Sequence, residues 1–397
     1  MTKIKTKNGK INKADIVIGI PSYNEADNIA YVAENVAGGL KKYFPDKKGV
    51  IINIDSHSND GTREAFLKAK TNSVPKIYIS TPKGVIGKGN NFLNLFREAV
   101  KLKAKAVAVV DADIKSVTPK WIKNLITPVF KSFDYLTPLY TRNEYDGSLT
   151  NHICYPLIYG LFGFNIRQPI GGDFCFSDKF VKSCLKQRWT NSTKQYGIDI
   201  FLTMHAILNN FKIGQVSLGT KIHKPSAPKL GPMFHQVLTS FMNIIIKNKD
   251  KWLGAKKLLK IPLFNEYYFS EPQHLAIDYK EMRSIAIYEY KINKSTIKRV
   301  LTQNIYEKIS SIFETKDIYF GKDTWTKIVY DFIYAFDKFR LDANLIDALK
   351  PLYFARCVSF YRISMNKDHK WSDQVIIDQA KNFYRRRSYL LCKYRKK

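Results

Sequence analysis

The chain has 397 residues, of which 45% are hydrophobic and 14% are aromatic, enough to bury a sizeable core. This composition excludes a wholly disordered protein. A count of 65 Lys and Arg against 34 Asp and Glu gives a net charge of +31, which favours anionic partners such as phosphorylated small molecules, nucleic acid or an anionic membrane surface.

Five short apolar runs between Asp15 and about His223 are predicted to be strands, because each is β-branched or aromatic and bounded by turn or charged residues. The runs are 16–20, 49–54, 76–80, 106–110 and 134–140. Helical periods between them predict helices at 26–43, 62–70, 90–103 and 119–131. This alternation predicts an α/β domain with a mostly parallel, Rossmann-like sheet, and such sheets bind ligands beyond the carboxyl ends of their strands.

The pattern changes after about residue 245, where aromatic stretches of helical period such as 323–338 and 341–363 follow without interleaved strands. We therefore predict two domains, an α/β domain over 1–245 and a helical, basic C-terminal region over 246–397, joined through the lysine-rich segment 247–260. The basic, aromatic tail 381–397 is compatible with contact to a membrane surface or nucleic acid, and equally with a solvated helix end.

The cysteines and the hydropathy pattern bear on the cell compartment. Five cysteines without a CxxC pair argue against a disulfide framework or a zinc ribbon and favour a reducing cytoplasm. The charged N-terminus has no apolar stretch behind it, and no run of about 18 apolar residues occurs. We therefore expect a soluble, cytoplasmic protein without a signal peptide or a membrane span, and the sequence leaves a homodimer open.

The sharpest motif is a pair of carboxylates, Asp111 and Asp113, directly after the apolar run 106–110. A buried strand that ends in this way delivers oxygen ligands to the ligand-binding crevice. Alternation along the chain points both side chains to the same side, so both can reach one hydrated Mg²⁺ or Mn²⁺ that bridges substrate phosphates. One aspartate could be a helix cap, but two are hard to explain structurally.

Polar residues also follow the other predicted strands. Pro21 and Glu25 follow the first strand, and Asp55 ends the second, where a carboxylate can accept hydrogen bonds from a base or a ribose. Residues 58–62 have good turn and cap chemistry. Lys88 lies in a glycine-containing loop that suits a phosphate but is not a P-loop, and a plain flexible loop is the alternative.

Three further features have both a structural and a functional interpretation. Gly171 and Gly172 permit either the close approach of a ligand or a tight bend. Asp199 lies in the first turn of an apolar helix, where dipole complementarity alone would explain it. His223 follows the apparent strand 212–222, and it is either structural or the completion of a metal site with the paired aspartates.

Taken in order, these residues resemble the GT-A nucleotide-sugar glycosyltransferases, and within them the retaining mannosylglycerate synthase and glucosyl-3-phosphoglycerate synthase families. The resemblance covers roughly residues 14 to 240. Its matching segments are PSYNEADN, the acidic end of IDSHSNDGT, GKGNNFLNLF, VDADIKSVTPKWI, RQPIGGDF, YGIDIFLTMHA and the strand that ends at His223. It implies a GT-A fold with a DXD motif, although Asp173 replaces a longer Glu after the paired glycines.

The resemblance also implies a role for each matching residue. For donor binding, these are Pro21, Glu25, Asp55, Lys88 and Asp111, with Gly171 and Gly172 near the anomeric carbon. Asp113 and His223 would ligate a divalent metal, Mg²⁺ or Mn²⁺, which Asp111 would touch directly or through water. Arg142 and Thr150 would hold an acceptor carboxylate, and Asp199 would lie against the transferred sugar or the acceptor hydroxyl, so that Lys88 and Asp199 are the candidate catalytic residues.

The resulting functional prediction is a metal-dependent hexosyltransferase. It would move mannose or glucose from a nucleoside-diphosphate sugar to a small carboxylate acceptor such as glycerate or 3-phosphoglycerate, with retention, and without nucleic acid as a partner. One alternative is an inverting GT-A transferase that acts on a lipid or polysaccharide at the membrane surface, with Asp199 as general base. Another is a non-enzymatic polyanion-binding protein on a degenerate transferase scaffold.

Overall fold

The computed structural model describes residues 2–5, 11–224, 230–254, 257–266, 271–275, 278–340 and 342–395. Positions 255 and 256 of the lysine-rich segment, 341 of a predicted helix and 396 and 397 of the tail therefore lie outside the described residues. The chain divides into two units: a sheet unit (1–141, 168–228 and 261–273) and a helical unit (142–167, 229–260 and 274–397).

Within the described residues, the sheet unit contains one sheet of nine strands in the order β1-β4-β3-β2-β5-β7-β6-β8-β9. Its strands are β1 (Thr2–Lys5), β2 (Ile16–Ser22), β3 (Gly49–Asp55), β4 (Lys76–Ser80), β5 (Ala106–Val109), β6 (Tyr135–Thr141), β7 (Phe174–Ser177), β8 (Ile213–Thr220) and β9 (Leu263–Phe264). Strands β2 to β5 are mutually parallel, β7 is antiparallel to both β5 and β6, and β8 is parallel to β6 and β9. The mostly parallel sheet is thus confirmed.

Among its described residues, the sheet unit has six helices, and they follow the apolar periods of the sequence: α1 (Ile29–Tyr43), α2 (Thr62–Lys68), α3 (Lys88–Lys101), α4 (Pro119–Phe130), α6 (Asp178–Leu185) and α7 (Ile198–Leu208). Helix α1 buries Ile29, Val32, Val36 and Leu40, which recur at helical spacing on the side that packs into the core. The core cluster also contains Ile18 of β2 and Ala108 of β5.

The helical unit begins with α5 (Tyr155–Leu157), which is flanked by π-type helical turns at Thr150–Cys154 and Ile158–Phe162. The remaining helices are α8 (Leu230–Lys247), α9 (Lys249–Leu253), α10 (Tyr279–Val300), α11 (Gln303–Glu314), α12 (Lys322–Lys338), α13 (Asn344–Ser364), α14 (His369–Arg385) and α15 (Arg387–Arg395). The predicted helical C-terminal region is confirmed. Across all these described helices, none has the length and apolar character needed to cross a membrane.

Two features of the chain order differ from the sequence analysis. The prediction that no strands follow residue 245 is wrong, because Leu263–Phe264 pairs with β8 and extends the sheet. The two units also alternate along the chain, since 142–167 belongs to the helical unit and 261–273 to the sheet unit. A single functional boundary after residue 245 stays a prediction.

Candidate active site

The direction of the strands explains why polar residues collect at one edge of the sheet. Strands β2, β3 and β5 are parallel, so their carboxyl ends meet at this edge. Strand β7 runs the opposite way, so the residue before it, Asp173, lies at the same edge. Its carboxylate Oδ1 accepts a hydrogen bond of 2.8 Å from the backbone N–H of Asp111.

Lys88 contacts two carboxylates of the predicted site, those of Asp111 and Asp199. Its ammonium group, at the start of α3, lies 2.8 Å from Oδ1 of Asp111 and 3.6 Å from Oδ1 of Asp199, at the start of α7. Oδ1 of Asp199 is buried without a hydrogen-bond partner in the described part of the chain. The fold therefore brings together Lys88, Asp111 and Asp199, which the sequence separates by up to about a hundred residues, and leaves one acceptor atom available.

A second buried ion pair, between Lys221 and Asp173, lies beside Asp111. The sequence analysis did not predict the part that Lys221 has in it. Nζ of Lys221, just after β8, donates to the carbonyl of Gly171 at 2.9 Å and to Oδ2 of Asp173 at 3.3 Å, and lies 3.8 Å from Oδ2 of Asp111. The Tyr140 hydroxyl donates to the same Asp173 oxygen. The position of Lys221, two residues before His223, was the one sequence feature that could have pointed to it. Nothing in the local sequence pattern predicts that its side chain is buried.

Five ionisable groups therefore share this edge, three carboxylates against two ammonium groups; Asp173, Asp199 and Lys221 are buried, and Lys88 and Asp111 are partly buried. Burial raises the pKa of Asp199 and of Asp173 above the ordinary value, and nearby lysines offset this only in part. Burial opposes ionisation of Asp111 too, but the charges of Lys88 and Lys221 outweigh it and lower its pKa. Asp111 is thus held ionised, and with all three carboxylates charged the cluster has an excess negative charge.

Gly172 is required for this cluster to form. It has φ = +92°, and a Cβ atom there would lie 2.2 Å from Oδ2 of Asp111 and 3.1 Å from Nζ of Lys221. The positive φ of Gly172 agrees with a tight bend, and the protein's own side chains, Asp111 and Lys221, fill the space beside it. Contact of Gly171 and Gly172 with a donor sugar stays a prediction.

Asp55 lies fully buried at the end of β3, and four protein donors surround its carboxylate. The Ser22 hydroxyl (2.8 Å) and the Ser58 hydroxyl (2.5 Å) donate to Oδ1, whereas the Ser58 backbone N–H (2.7 Å) and the Tyr78 hydroxyl (2.9 Å) donate to Oδ2. A carboxylate offers about four acceptor positions. A nucleotide base would have to displace one of these donors, so the predicted donor contact of Asp55 stays a prediction.

We expect Asp55→Ala to lower the free energy of unfolding by about 3 kcal/mol, because several buried donors lose their charged partner. Denaturant unfolding measures this effect. Asp46→Ala, at an exposed carboxylate of the same unit, is the matched control and should change stability by less than about 0.5 kcal/mol. If Asp55→Ala kept its stability but bound nucleotide more weakly, the role of Asp55 as the shared acceptor of these four donors would be contradicted.

Two ion pairs to Lys224 hold the loop that follows β2. Oε2 of Glu25 lies 2.6 Å from Nζ of Lys224, which also lies 2.8 Å from Oδ1 of Asp27. The prediction that Pro21 follows the first strand is wrong, because the strand continues to Ser22 and Pro21 lies within β2, in register with Ile54. Pro21 and Glu25, the residues predicted to bind the donor nucleotide, therefore lie at or just after the carboxyl end of β2. Their contacts with a nucleotide stay predictions.

The predicted metal ligands do not form a three-residue cluster among the described residues. The carboxylate of Asp111 contacts the two lysines instead, whereas Asp113, which is partly exposed, has no ion pair or hydrogen bond to any described side chain. His223 is adjacent, since its backbone pairs with that of Ile114. Mg²⁺ in proteins is commonly held by one or two carboxylates plus substrate phosphates, so this donor set fits a metal that arrives with a diphosphate.

Arg142 and Thr150, the predicted acceptor-binding residues, belong to the helical unit. The Arg142 guanidinium is paired with Oδ2 of Asp146 at 2.6 Å. The hydroxyl of Thr150 is buried and has no hydrogen-bond partner in the described chain. Their role toward an acceptor stays a prediction.

A mostly parallel, Rossmann-like sheet with a D-x-D motif at its carboxyl edge defines a domain of the GT-A fold class. Residues 17–183, less than half of the chain, match the profile of Glycosyl transferase family 2. No curated protein matches this chain.

The chain is also similar to solved structures of glucosyl-3-phosphoglycerate synthase from Mycobacterium tuberculosis. The complex with Mn²⁺, UDP and glucosyl-3-phosphoglycerate is 22% identical, with 58% of this chain and 80% of that chain covered and a TM-score of 0.48. The complex with Mg²⁺ and UDP is 22% identical, with 58% and 79% covered and a TM-score of 0.47. The complex with Mn²⁺, UDP-glucose and phosphoglyceric acid is 21% identical, with the same coverage and a TM-score of 0.47.

Proposed function

We propose that the sheet unit transfers a hexose, glucose or mannose, from a nucleoside-diphosphate sugar to a hydroxyl of a small carboxylate acceptor such as glycerate or 3-phosphoglycerate, with retention. The observation that supports a transfer site most directly is the buried Oδ1 of Asp199, which lies 3.6 Å from the Lys88 ammonium group but accepts no hydrogen bond from the described residues. A buried acceptor atom without a partner costs free energy unless a ligand donates to it. A sugar or acceptor hydroxyl has the chemistry to do so.

The buried charges suit a leaving diphosphate. Lys88 would stabilise the negative charge that develops on the phosphate oxygens as the glycosidic bond breaks. Lys221 would hold Asp111 and the turn at Gly171 in place, so that the oxygens of Asp111 and Asp113 stay oriented toward the donor. A divalent ion, held by Asp113 and His223 with Asp111 beside it, would supply Lewis-acid assistance to the leaving group.

Retention is proposed from the sequence resemblance alone, and the role proposed for Asp199 is compatible with it. Oδ1 of Asp199, 3.6 Å from the Lys88 ammonium group, accepts no hydrogen bond from the described residues, and Asp199 would bind a hydroxyl rather than form a covalent intermediate. The acceptor would then attack from the face that the phosphate leaves, with Asp199 fixing the orientation of the reacting groups. The acceptor class itself rests on the sequence resemblance.

An inverting reaction is the second candidate, because one observation favours it. Burial raises the pKa of Asp199, which makes this carboxylate a better proton acceptor than an ordinary aspartate. As a general base, Asp199 would deprotonate the attacking hydroxyl of a lipid or polysaccharide. The anomeric configuration of the product, read by NMR, decides between the two, since an inverted product excludes retention.

We expect one nucleotide to raise the melting temperature in a metal-dependent manner, since a ligand that binds only the folded state stabilises it by mass action. The measurement is a thermal-shift series with UDP, GDP, ADP and their glucose and mannose conjugates, each with and without Mn²⁺. Transfer to glycerate and 3-phosphoglycerate is then assayed with the sugar that binds. No shift with any nucleotide would contradict the proposal and favour a polyanion-binding protein on a degenerate scaffold.

A further inference from the structure

Two basic segments that are distant in sequence meet in the helical unit. Segment 247–260 has six lysines and one aspartate, and segment 381–397 has eight basic residues and no acidic one. The Arg387 guanidinium donates to the backbone carbonyls of Trp252 and Gly254. The Trp252 ring also packs edge-on against Tyr394, with ring centroids 5.7 Å apart. The fold therefore combines two basic segments into one region.

Much of the positive charge in this region is uncompensated. Some of its cations have partners: Lys249 lies 2.8 Å from Asp337, and Lys393 lies 2.8 Å from Asp331. Six exposed cations form no ion pair with the described carboxylates, and these are Lys247, Lys251, Lys257, Lys260, Arg385 and Arg395. An uncompensated cluster of this kind attracts an anionic surface.

Two exposed leucines lie within the same region. The side chains of Leu258 and Leu259 are 38% and 43% exposed and stand between Lys257 and Lys260. The backbone beneath them is fixed, because the N–H of Leu259 donates to the Gly163 carbonyl at 2.7 Å and the Leu259 carbonyl accepts from the Asn165 N–H at 3.3 Å. The leucines are thus held at the surface by an ordered backbone.

Lysines that bracket exposed aliphatic side chains match the chemistry of an anionic lipid surface. Leucine gains free energy by entering the boundary between headgroups and acyl chains, and each lysine by approaching the negative headgroups. Single-stranded nucleic acid would offer phosphates to the lysines, but it stacks on aromatic side chains and gains little from leucines. The apolar pair therefore favours a membrane over nucleic acid.

We propose that the six unpaired cations together with Leu258 and Leu259, here called the basic surface, dock the protein on anionic phospholipid bilayers. The binding is peripheral and reversible, and it uses the basic tail jointly with the segment 247–260. It does not depend on the proposed transferase activity, since the sheet unit contributes no residue to it.

The test is co-sedimentation of the full chain with phosphatidylcholine vesicles, with or without a third of phosphatidylserine. Binding should require phosphatidylserine and weaken as salt rises. Each basic residue contributes about five-fold to such binding, so Lys257→Gln/Lys260→Gln should lower the partition coefficient about 30-fold. Lys41→Gln/Lys68→Gln, at exposed lysines of the sheet unit, changes the net charge equally and should lower it much less. Leu258→Ser/Leu259→Ser should weaken binding with the charge unchanged.

Three results would overturn the proposal: equal binding to neutral vesicles, equal losses in the two lysine pairs, or binding of single-stranded RNA without binding of vesicles. All substituted side chains are exposed, so unchanged melting temperatures show that the variants are folded. Cys392 provides a second measurement, because it is the exposed cysteine among the five and the other four are buried. A polarity-sensitive fluorophore on Cys392 should shift its emission to the blue only with the anionic vesicles.

Discussion

We expect Asp113→Ala to abolish the proposed sugar transfer and to leave the fold intact. Asp113 has no ion pair or hydrogen bond to the described residues and is partly exposed, so its removal strands no buried group. If Asp113 holds the metal on the diphosphate, its loss removes several kcal/mol of transition-state stabilisation, a fall of about 10³-fold or more in kcat/KM. Turnover of the nucleotide sugar identified by thermal shift measures the loss.

A second readout separates loss of metal from general damage. In Asp113→Ala, the part of the nucleotide-induced thermal shift that needs Mn²⁺ should disappear, and the melting temperature of the free protein should not change. Asp46→Ala, which removes an exposed carboxylate elsewhere in the sheet unit, should leave both properties as in the wild type. Near-normal turnover in Asp113→Ala would refute the metal assignment.

The strands and helices of the sheet unit were predictable because their patterns are local. The runs at 16–20, 49–54 and 76–80 became β2, β3 and β4 with changes of one or two residues at their ends. Strand β1 was missed because Thr2–Lys5 has no extended apolar pattern and is defined by its pairing with β4. Strand β9 was missed for the same reason, since two residues carry no period and only β8 specifies them.

Candidate site residues could be predicted where they directly follow strands. They could not be predicted where their position depends on burial by parts of the chain that are distant in sequence. The D-x-D pair and Lys88 were found from their position after strands or at a helix start. Lys221 was missed because nothing around it predicts that its ammonium group is buried against Asp173 and Gly171. The four donors on Asp55 were missed too, since Tyr78 reaches it only after β3 and β4 pair.

Lys88→Met should also lower catalysis strongly, although by less than Asp113→Ala, and it should change the pH profile. Loss of its charge from the leaving phosphate should lower kcat/KM by about 10²- to 10³-fold. Burial already raises the pKa of Asp199, and the Lys88 charge opposes this rise, so the pKa of Asp199 should rise further in the variant. The ionised carboxylate is the stronger hydrogen-bond acceptor for a hydroxyl, so the acid limb of the activity profile should move to higher pH.

Stability should change with pH in a matching way. Without Lys88, three carboxylates face only the ammonium group of Lys221, and their pKa values in the folded state should rise above those in the unfolded chain. Such groups destabilise the folded protein when ionised, so the loss should be largest near neutral pH and smaller as acid protonates them. Denaturant unfolding across this range measures it, with Lys88→Arg as the charge-conserving control. A loss of stability that is independent of pH would mean that Lys88 acts through packing rather than through its charge on Asp111 and Asp199.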